Sequence, residues 1–555
     1  MSLEKPPRHF HIYLVKPSHY DDDGYPITWR KALIPSNSLA ALNALCEDFK
    51  QRQVLGKQVS VHIHVVDETN TRIRPSKIAA AIHRPDTRGF VGMVGVQTNQ
   101  FPRAMDLCDA FTRLDVPVCV GGFHVSGYLS VMGELPKRAI SAQQQGVSFF
   151  TGECEEGRID TVLCDAFQGR LAPLYNFLGQ LPDIAGAPTP ILPLDEIQKT
   201  EGHYAPFDLG RGCPFQCSFC TIINVHGQKS RFRTADDLEK IIRSNYDRGV
   251  RRFFLTDDNI ARNKNWESLF DRLHQLRVEG LRFRIFCQLD IPCHKIPNFA
   301  YKALQAGIDQ LLIGMESVNP ENLESIQKKQ NKAHEYKEAL SLWKRHRVVV
   351  NASYIVGLPH DTVDSIREDV ETIKRDLPVD AIYFTNLTPL PGSQLHRQML
   401  EDGQLLDPDD NAYDTNHYVF NHSKMSTEEW REANKTAWKT FYTIDHMRTI
   451  IKRLVAQKSE KRLTTIYRLA MNHYFGIYTT IHPIDGGLFR KRYRTDRRPT
   501  LPKENPLVFY PKHFANVIAS SVHIFYLVNK LWRAYKKFRK DPGIHDFTDN
   551  ATSDY

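Results

Sequence analysis

Residues 210–220 have the sequence GRGCPFQCSFC, in which three cysteines stand at the spacing C-x3-C-x2-C. Three thiolates within eight residues can converge on one metal centre, and soft thiolates suit zinc or an iron–sulfur cluster. A zinc site with His226 as a fourth ligand is the alternative interpretation. Structural zinc sites usually add a second ligand pair at a distance, and none follows here. The spacing of Cys213, Cys217 and Cys220 therefore favours an iron–sulfur cluster, and a [4Fe–4S] cluster with three thiolates would leave one iron open for a substrate.

The segments that follow this loop alternate between strand-like and helix-like patterns over about 190 residues. Six such β/α units fall short of the eight that close a full barrel, so they predict an open, partial (β/α)6 barrel. Polar groups stand where several of these strands end. Two adjacent carboxylates at a strand end, Asp257 and Asp258, suit an ammonium ligand, although either could instead cap the next helix.

The cysteine loop and its strand-end residues together resemble the radical S-adenosylmethionine (SAM) superfamily over residues 205–395. In that family the three cysteines bind a [4Fe–4S] cluster, and S-adenosylmethionine binds the fourth iron. An electron from an external donor, such as a flavodoxin or ferredoxin, then cleaves the nucleotide to a 5′-deoxyadenosyl radical. The sequence departs from many relatives at His360-Asp361. The resemblance implies six SAM-binding residues: Phe219, Asp257, Asp258, Gln288, Glu316 and Gly357.

The first 180 residues predict a Rossmann-like domain, a parallel sheet with helices on both faces. This part resembles the cobalamin-binding domain attached to many radical SAM enzymes, and its glycine turns would let a large macrocycle approach the backbone. No Asp-x-His-x-x-Gly element occurs, so we expect no lower axial histidine and interpret His124 as structural. The alternative is a domain that keeps the fold without the cofactor. The implied cobalamin-binding residues are Thr98, Asn99, Gly121, Gly122, Gly152 and Glu153.

Composition divides the rest of the chain. The four prolines of residues 181–200 indicate a linker. We expect the barrel to occupy residues 201–395 and a basic, mostly helical C-terminal domain to occupy residues 396–555. The whole chain has 73 Lys or Arg against 64 Asp or Glu, yet residues 421–540 alone hold 25 against 8. This excess favours an anionic neighbour. No recognisable nucleic-acid module accompanies it, so we expect no nucleic-acid partner.

An apolar stretch at 514–528 stands directly before a basic run at 530–540, an arrangement that resembles an interfacial membrane helix. The alternative is that Val517, Ile518, Val522, Ile524 and Leu527 pack into the C-terminal domain. The stretch is too short to span a bilayer. The N-terminus has no apolar leader segment, and the cysteines outside the loop are scattered. We therefore expect a cytoplasmic protein with peripheral contact to the inner face of a membrane.

Together these patterns predict a cobalamin-linked radical SAM enzyme that methylates an unactivated carbon of a small molecule. One alternative is a radical oxidative cyclisation or rearrangement of a tetrapyrrole- or lipid-like substrate. Another is a non-catalytic iron–sulfur electron carrier or sensor. The implied nucleotide site argues against a carrier, because a carrier has no need for Asp257, Asp258, Glu316 or Gly357.

Overall fold

The computed structural model describes residues 7–459 and 461–553. Residues 1–6, which carry part of the expectation that no leader segment is present, lie outside the described residues. Across the described ranges the strands form two six-stranded sheets and two two-stranded sheets. Both large sheets are parallel throughout, as the alternating sequence pattern predicts.

The N-terminal part is an α/β layer structure with a parallel sheet in the order β3-β1-β4-β5-β6-β7. Helices α1 and α6 cover one face, and α2, α3 and α5 cover the other, which confirms the predicted Rossmann-like arrangement. The strands are β1 (His9–Lys16), β2 (Thr28–Ala32), β3 (Ser60–Asp67), β4 (Thr87–Met93), β5 (Val118–Gly121), β6 (Ser148–Thr151) and β7 (Leu174–Asn176). The helices are α1 (Asn37–Gln51), α2 (Pro75–Ile82), α3 (Phe101–Thr112), α4 (Phe123–Met132), α5 (Lys137–Gln144) and α6 (Arg158–Gln168).

The central part is an open sheet in the order β15-β14-β13-β12-β11-β8, the predicted partial (β/α)6 barrel. Its strands are β8 (Tyr204–Phe207), β11 (Arg252–Leu255), β12 (Arg284–Leu289), β13 (Ile308–Glu316), β14 (Val349–Val356) and β15 (Ala381–Asn386), with a hairpin of β9 (Gly210–Arg211) and β10 (Arg231–Phe232) beside them. The helices are α7 (Leu194–Gln198), α8 (Ile222–Val225), α9 (Ala235–Asp247), α10 (Trp266–Val278), α11 (Phe299–Gln305), α12 (Pro320–Ser325), α13 (Tyr336–Arg345), α14 (Val363–Asp376) and α15 (Gln394–Glu401).

The segment 181–200 is packed against both neighbouring parts. Ile184, Leu192 and Ile197 are buried. The Asn43 side chain donates to the Ile191 carbonyl at 2.8 Å, and the Arg233 guanidinium donates to the Ala187 carbonyl at 3.0 Å. The proline-rich connection therefore fixes the two sheets against each other. The domain bounds 1–180, 201–395 and 396–555 stay predictions.

The C-terminal part consists mostly of helices that cover the open edge of the barrel. The Trp430 indole nitrogen donates to the Val356 carbonyl at the end of β14. No helix of the described ranges is both long and apolar enough to cross a membrane. The elements are α16 (Thr427–Phe441), α17 (Ile444–Ala456), α18 (Arg462–Tyr478), β16 (Gly487–Lys491) and α19 (Pro506–Arg539).

The C-terminal part also returns to the N-terminal domain. Strand β16 pairs antiparallel with β2. The basic run around it forms ion pairs inside the molecule: Arg490 and Arg492 lie 2.6 and 2.7 Å from the Asp21 carboxylate, and Arg498 pairs with Asp409. Arg490, Arg492 and Arg498 are therefore neutralised by carboxylates of the same chain. An anionic partner would have to bind other basic residues.

Candidate active site

The three predicted ligand cysteines lie on one loop between β9 and α8. Backbone hydrogen bonds shape this loop, from the Cys213 nitrogen to the Gly227 carbonyl at 3.2 Å and from the Cys220 nitrogen to the Cys217 carbonyl at 3.1 Å. Burial raises the pKa of the Cys213 thiol and raises that of Cys220 to about 12. Thiols in such surroundings ionise only when a positive charge, such as that of a metal centre, lies beside them.

The donor set at the loop fits an iron–sulfur cluster better than a single metal ion. In the part of the chain that the structure describes, no three His, Cys, Asp or Glu side chains converge as ligands of one ion. A [4Fe–4S] cluster places each thiolate on a different iron, so its cysteines need not meet at one point. His226, the fourth ligand of the alternative zinc site, instead holds its Nδ1 2.9 Å from the Asp258 carboxylate.

The two adjacent carboxylates after β11 hold the backbone that enters the cysteine loop. Asp257 Oδ1 accepts from the Leu209 nitrogen at 2.6 Å, and burial raises the pKa of Asp257. Asp258 Oδ2 accepts from the Gly212 nitrogen at 2.8 Å and contacts His226. Asp257 is therefore a buried support for the loop, and Asp258 reaches a cavity beside it.

Glu316 ends β13 with a left-handed backbone (φ 66°) and accepts from two side chains that the sequence did not single out. Lys328 Nζ donates to it at 2.6 Å and the Ser353 hydroxyl at 3.0 Å. Burial opposes the charge of Lys328, but Glu316 outweighs it and raises the Lys328 pKa. The same ammonium lies 6.0 Å from the Phe219 ring centroid, so Glu316, Lys328 and Phe219 form one group beside the cysteines.

Gly357 makes the turn after β14 with a φ of 90°. A Cβ atom there would lie 2.2 Å from the Trp430 ring, so the position requires glycine. The Gly357 nitrogen donates to Asp361 Oδ2 at 2.8 Å, and the Asn322 amide donates to the other oxygen at 2.7 Å. Asp361, to which the sequence assigned no role, thus fixes the turn. Gln288 lies half-buried at the same sheet edge, one residue before β12 ends.

A cavity of about 290 Å³ lies between the carboxyl ends of the N-terminal strands and the barrel residues that flank the cysteine loop and follow β11. Gly122, which follows β5, has a φ of 150°, and a Cβ atom there would lie 2.1 Å from the Val96 nitrogen. Of the implied cobalamin-binding residues, Thr98 and Asn99 are not among those that line this cavity. The lining includes Gly121, Gly122, Gly152 and Glu153 from one side, and Arg211, His226 and Asp258 from the other.

His124 is packed away from this cavity. Its ring centroid lies 4.2 Å from that of Phe101, and its Nδ1 lies 3.3 Å from the Thr98 hydroxyl. Burial lowers the pKa of His124 to about 3, so the ring is neutral at physiological pH. This placement agrees with the interpretation of His124 as a structural residue, and it explains why Thr98 is turned inward.

Glu153 joins the N-terminal domain to the barrel. Its two carboxylate oxygens accept from Arg211 and Arg231, each at 2.6 Å. Arg211 also lies 2.7 Å from Glu155 and donates to Asp208 at 2.9 Å. The sequence missed both arginines, although Arg211 stands inside the quoted loop between two glycines. A buried ion network therefore sets the distance between the glycine turns and the cysteines.

The family model of the radical SAM superfamily matches residues 208–373, from the strand before the cysteine loop to α14. The chain contains a radical SAM domain. Bacteriochlorophyllide d C-12(1)-methyltransferase of Chlorobaculum tepidum is 28% identical over 274 residues, 48% of this chain and 58% of that protein. Hopanoid C-2 methylase of Rhodopseudomonas palustris is 22% identical over 363 residues, 63% of this chain and 64% of that protein. The chain thus spans less than two thirds of either relative.

Two solved structures share the fold well beyond the radical SAM domain. The methyltransferase TsrM of Kitasatospora setae, described with cobalamin and a [4Fe-4S] cluster bound, has a TM-score of 0.55 at 14% identity, covering 78% of this chain and 89% of TsrM. OxsB, described with aqua-cobalamin and S-adenosylmethionine bound, has a TM-score of 0.53 at 12% identity, covering 99% of this chain and 83% of OxsB. These similarities confirm the predicted fold class.

Proposed function

We propose that the chain is a cobalamin-dependent radical SAM methyltransferase that acts on an unactivated carbon. Cys213, Cys217 and Cys220 would hold the [4Fe–4S] cluster, and Glu316, Phe219 and Asp258 would face S-adenosylmethionine. When bound, the cluster and the nucleotide supply a radical that opens a C–H bond, and cobalamin supplies the methyl group. The domain bounds predicted from the sequence, 1–180, 201–395 and 396–555, form part of this proposal.

The cavity between the two sheets is the single observation that carries the proposal. Glycine turns on one side let a large planar group approach the backbone, and Arg211 and His226, which flank the cysteine loop in the sequence, line the other side. A cofactor seated there would lie beside the cluster and the nucleotide without any intervening domain. A carrier or sensor would need neither the glycine-lined cavity nor the Glu316–Lys328 group.

The chain's own residues would orient the cofactors and exclude water. The Glu153–Arg211–Arg231 network closes one wall of the cavity with charges that are already paired. Lys328 holds the Glu316 side chain in place at 2.6 Å, and a carboxylate oxygen can accept a hydrogen bond from a ribose hydroxyl. The Asp258 carboxylate forms hydrogen bonds with His226 and with the Gly212 nitrogen, which hold it at the edge of the cavity.

Two relatives suggest a class of substrate. They are named for a bacteriochlorophyllide and a hopanoid, which contain large and mostly apolar ring systems. We propose a small-molecule substrate of that class. Because S-adenosylmethionine cannot reduce its own sulfonium, an external electron donor such as a flavodoxin or ferredoxin is also needed. A peripheral contact with a membrane would give access to such a substrate.

The test uses the full chain, reconstituted anaerobically with iron and sulfide and then supplied with hydroxocobalamin. After reduction with dithionite in the presence of S-adenosylmethionine, we expect 5′-deoxyadenosine, together with S-adenosylhomocysteine that depends on cobalamin. The first product reports radical formation and the second reports methyl donation. 5′-Deoxyadenosine without any S-adenosylhomocysteine, in protein that retains cobalamin, would favour the cyclase or rearrangement alternative. If neither product forms, the remaining interpretation is an iron–sulfur electron carrier or sensor.

A further inference from the structure

Helix α19 exposes an unusual amount of apolar surface. Its 34 residues include six Lys or Arg and no Asp or Glu. Large apolar side chains recur on it every three or four residues, the spacing that places them on one face of a helix. Their exposed fractions are 84% for Leu507, 60% for Phe514, 63% for Ile518, 62% for Val522 and 70% for Phe525.

The opposite face of α19 is the one that packs on the protein. Leu527, Leu531 and Tyr535 are buried there, against α17 and α18. The alternative that the apolar stretch packs into the C-terminal domain is right for Leu527, which is buried, and wrong for Ile518 and Val522, which are exposed. Val517 and Ile524 are partly buried. The outward apolar face is thus left open by the fold itself. Contiguous exposed apolar patches of this kind mark interaction sites.

Basic side chains lie toward the C-terminus of α19, about a quarter turn around the helix from the apolar stripe. Lys530, Arg533 and Lys537 follow Tyr526 at intervals of three or four residues. Together with Arg448 of α17 they line a cavity of about 460 Å³. Within the described ranges, none of the three forms an ion pair with a carboxylate, in contrast to Arg490 and Arg492. Arg448 lies 3.8 Å from the Asp445 carboxylate, so Lys530, Arg533 and Lys537 carry the uncompensated charge, and a bound anion would relieve their mutual repulsion.

We infer that this face of α19 binds the surface of an anionic phospholipid bilayer. The apolar stripe would enter the boundary between headgroups and acyl chains, and the cavity lined by Arg448, Lys530, Arg533 and Lys537 would receive lipid phosphate groups. A second copy of α19 offers no acidic residue to neutralise these cations. A bilayer of anionic lipid offers both an apolar interior for the stripe and phosphate groups for the basic residues. The inference rests on the proposed membrane contact and not on methyl transfer.

The test compares three forms of the full chain by co-sedimentation with vesicles. The stripe variant carries Ile518→Ser and Phe525→Ser, and the basic variant carries Lys530→Gln, Arg533→Gln and Lys537→Gln. We expect the unmodified chain to bind phosphatidylglycerol vesicles and not phosphatidylcholine vesicles. The basic variant should bind on the order of 100-fold more weakly, because each cation near an anionic leaflet contributes about a factor of five. The stripe variant should lose about tenfold or more.

The matched control replaces three exposed lysines of the N-terminal domain, Lys57, Lys77 and Lys137, with glutamine. It should bind like the unmodified chain. Equal losses in the control and the basic variant would mean that only net charge matters, which would overturn the site. So would concentration-dependent dimers that the stripe variant abolishes, with no vesicle binding by the unmodified chain. Formation of 5′-deoxyadenosine, measured on the same preparations, separates either result from a failure of the proposed reaction.

Discussion

The two six-stranded parallel sheets differ in what stands at their carboxyl ends. In the N-terminal sheet, β5 and β6 end in Gly121-Gly122 and Gly152, and this edge offers backbone and open volume. In the barrel, β11 and β13 end in Asp257-Asp258 and Glu316, and this edge offers side chains that already have hydrogen-bond partners. The two edges therefore differ physically: one leaves space beside the backbone, and the other holds side chains in fixed positions by hydrogen bonds.

The largest effect is expected at the cysteine loop. Replacing Cys217 with serine should abolish the visible absorbance of the reconstituted cluster, because the donor set would fall from three thiols to two. Cobalamin uptake, which depends on the other sheet, should survive. Cys164→Ser is the matched control, since this partly buried thiol lies outside the loop. An unchanged cluster spectrum in the Cys217 variant would refute the assignment of the ligands.

A second variant alters the glycine turn after β5, at the edge of the N-terminal sheet. Gly122→Ala would place a methyl group 2.1 Å from the Val96 nitrogen in a backbone region that alanine avoids. We expect loss of cobalamin uptake, measured by equilibrium dialysis, with the iron content of the cluster retained. The control is Gly146→Ala, whose φ of 89° is also left-handed but whose added methyl would meet nothing within 4 Å. If both variants take up cobalamin normally, the glycine turn does not border the cofactor.

A third variant tests the connection between the two sheets. Glu153→Gln would leave the Arg211 and Arg231 guanidinium groups without their shared carboxylate. Breaking a buried ion pair costs about 3–5 kcal/mol, so the free energy of unfolding should fall by that amount in a urea titration. Glu156→Gln is the control, because that half-exposed carboxylate pairs with Arg158 within the N-terminal domain. A loss no greater than that of the control would show that the network does not hold the sheets together.

The ion pairs of Glu153 also predict how the free energy of unfolding depends on pH. Burial opposes the charge of Glu153, yet Arg211 and Arg231 hold its pKa below the ordinary value of 4.5. A carboxyl with a depressed folded pKa contributes its full stability above the unfolded pKa and loses it as the pH falls through the folded pKa. The stability difference between the unmodified chain and Glu153→Gln should therefore be constant above pH 4.5 and shrink below it.

Much of the fold followed from local patterns. Apolar runs separated by helix-length segments predicted both parallel sheets. The role of Cys213, Cys217 and Cys220 as cluster ligands stays a prediction. The β2–β16 pair was missed because it joins residues more than 450 positions apart, with no local signal. Lys328 was missed because it stands in a charged run typical of a solvated surface. Its burial depends on Glu316, which only the folded chain brings beside it.

The smallest effect is expected at His124, which lies in the N-terminal domain but outside the cavity. His124→Gln should leave cobalamin affinity unchanged, and a loss of uptake would contradict the structural role of this ring. Burial lowers its pKa from 6.5 to about 3, so between these values the unfolded chain binds a proton that the folded chain does not. Stability therefore falls as the pH drops below 6.5, by up to about 1.4 kcal/mol per pH unit for one such group. Glutamine does not titrate, so urea titrations from pH 7 to pH 5 should give the variant a shallower slope. An identical slope in both proteins would show that His124 has the same pKa in the folded and the unfolded chain, against its burial beside Phe101.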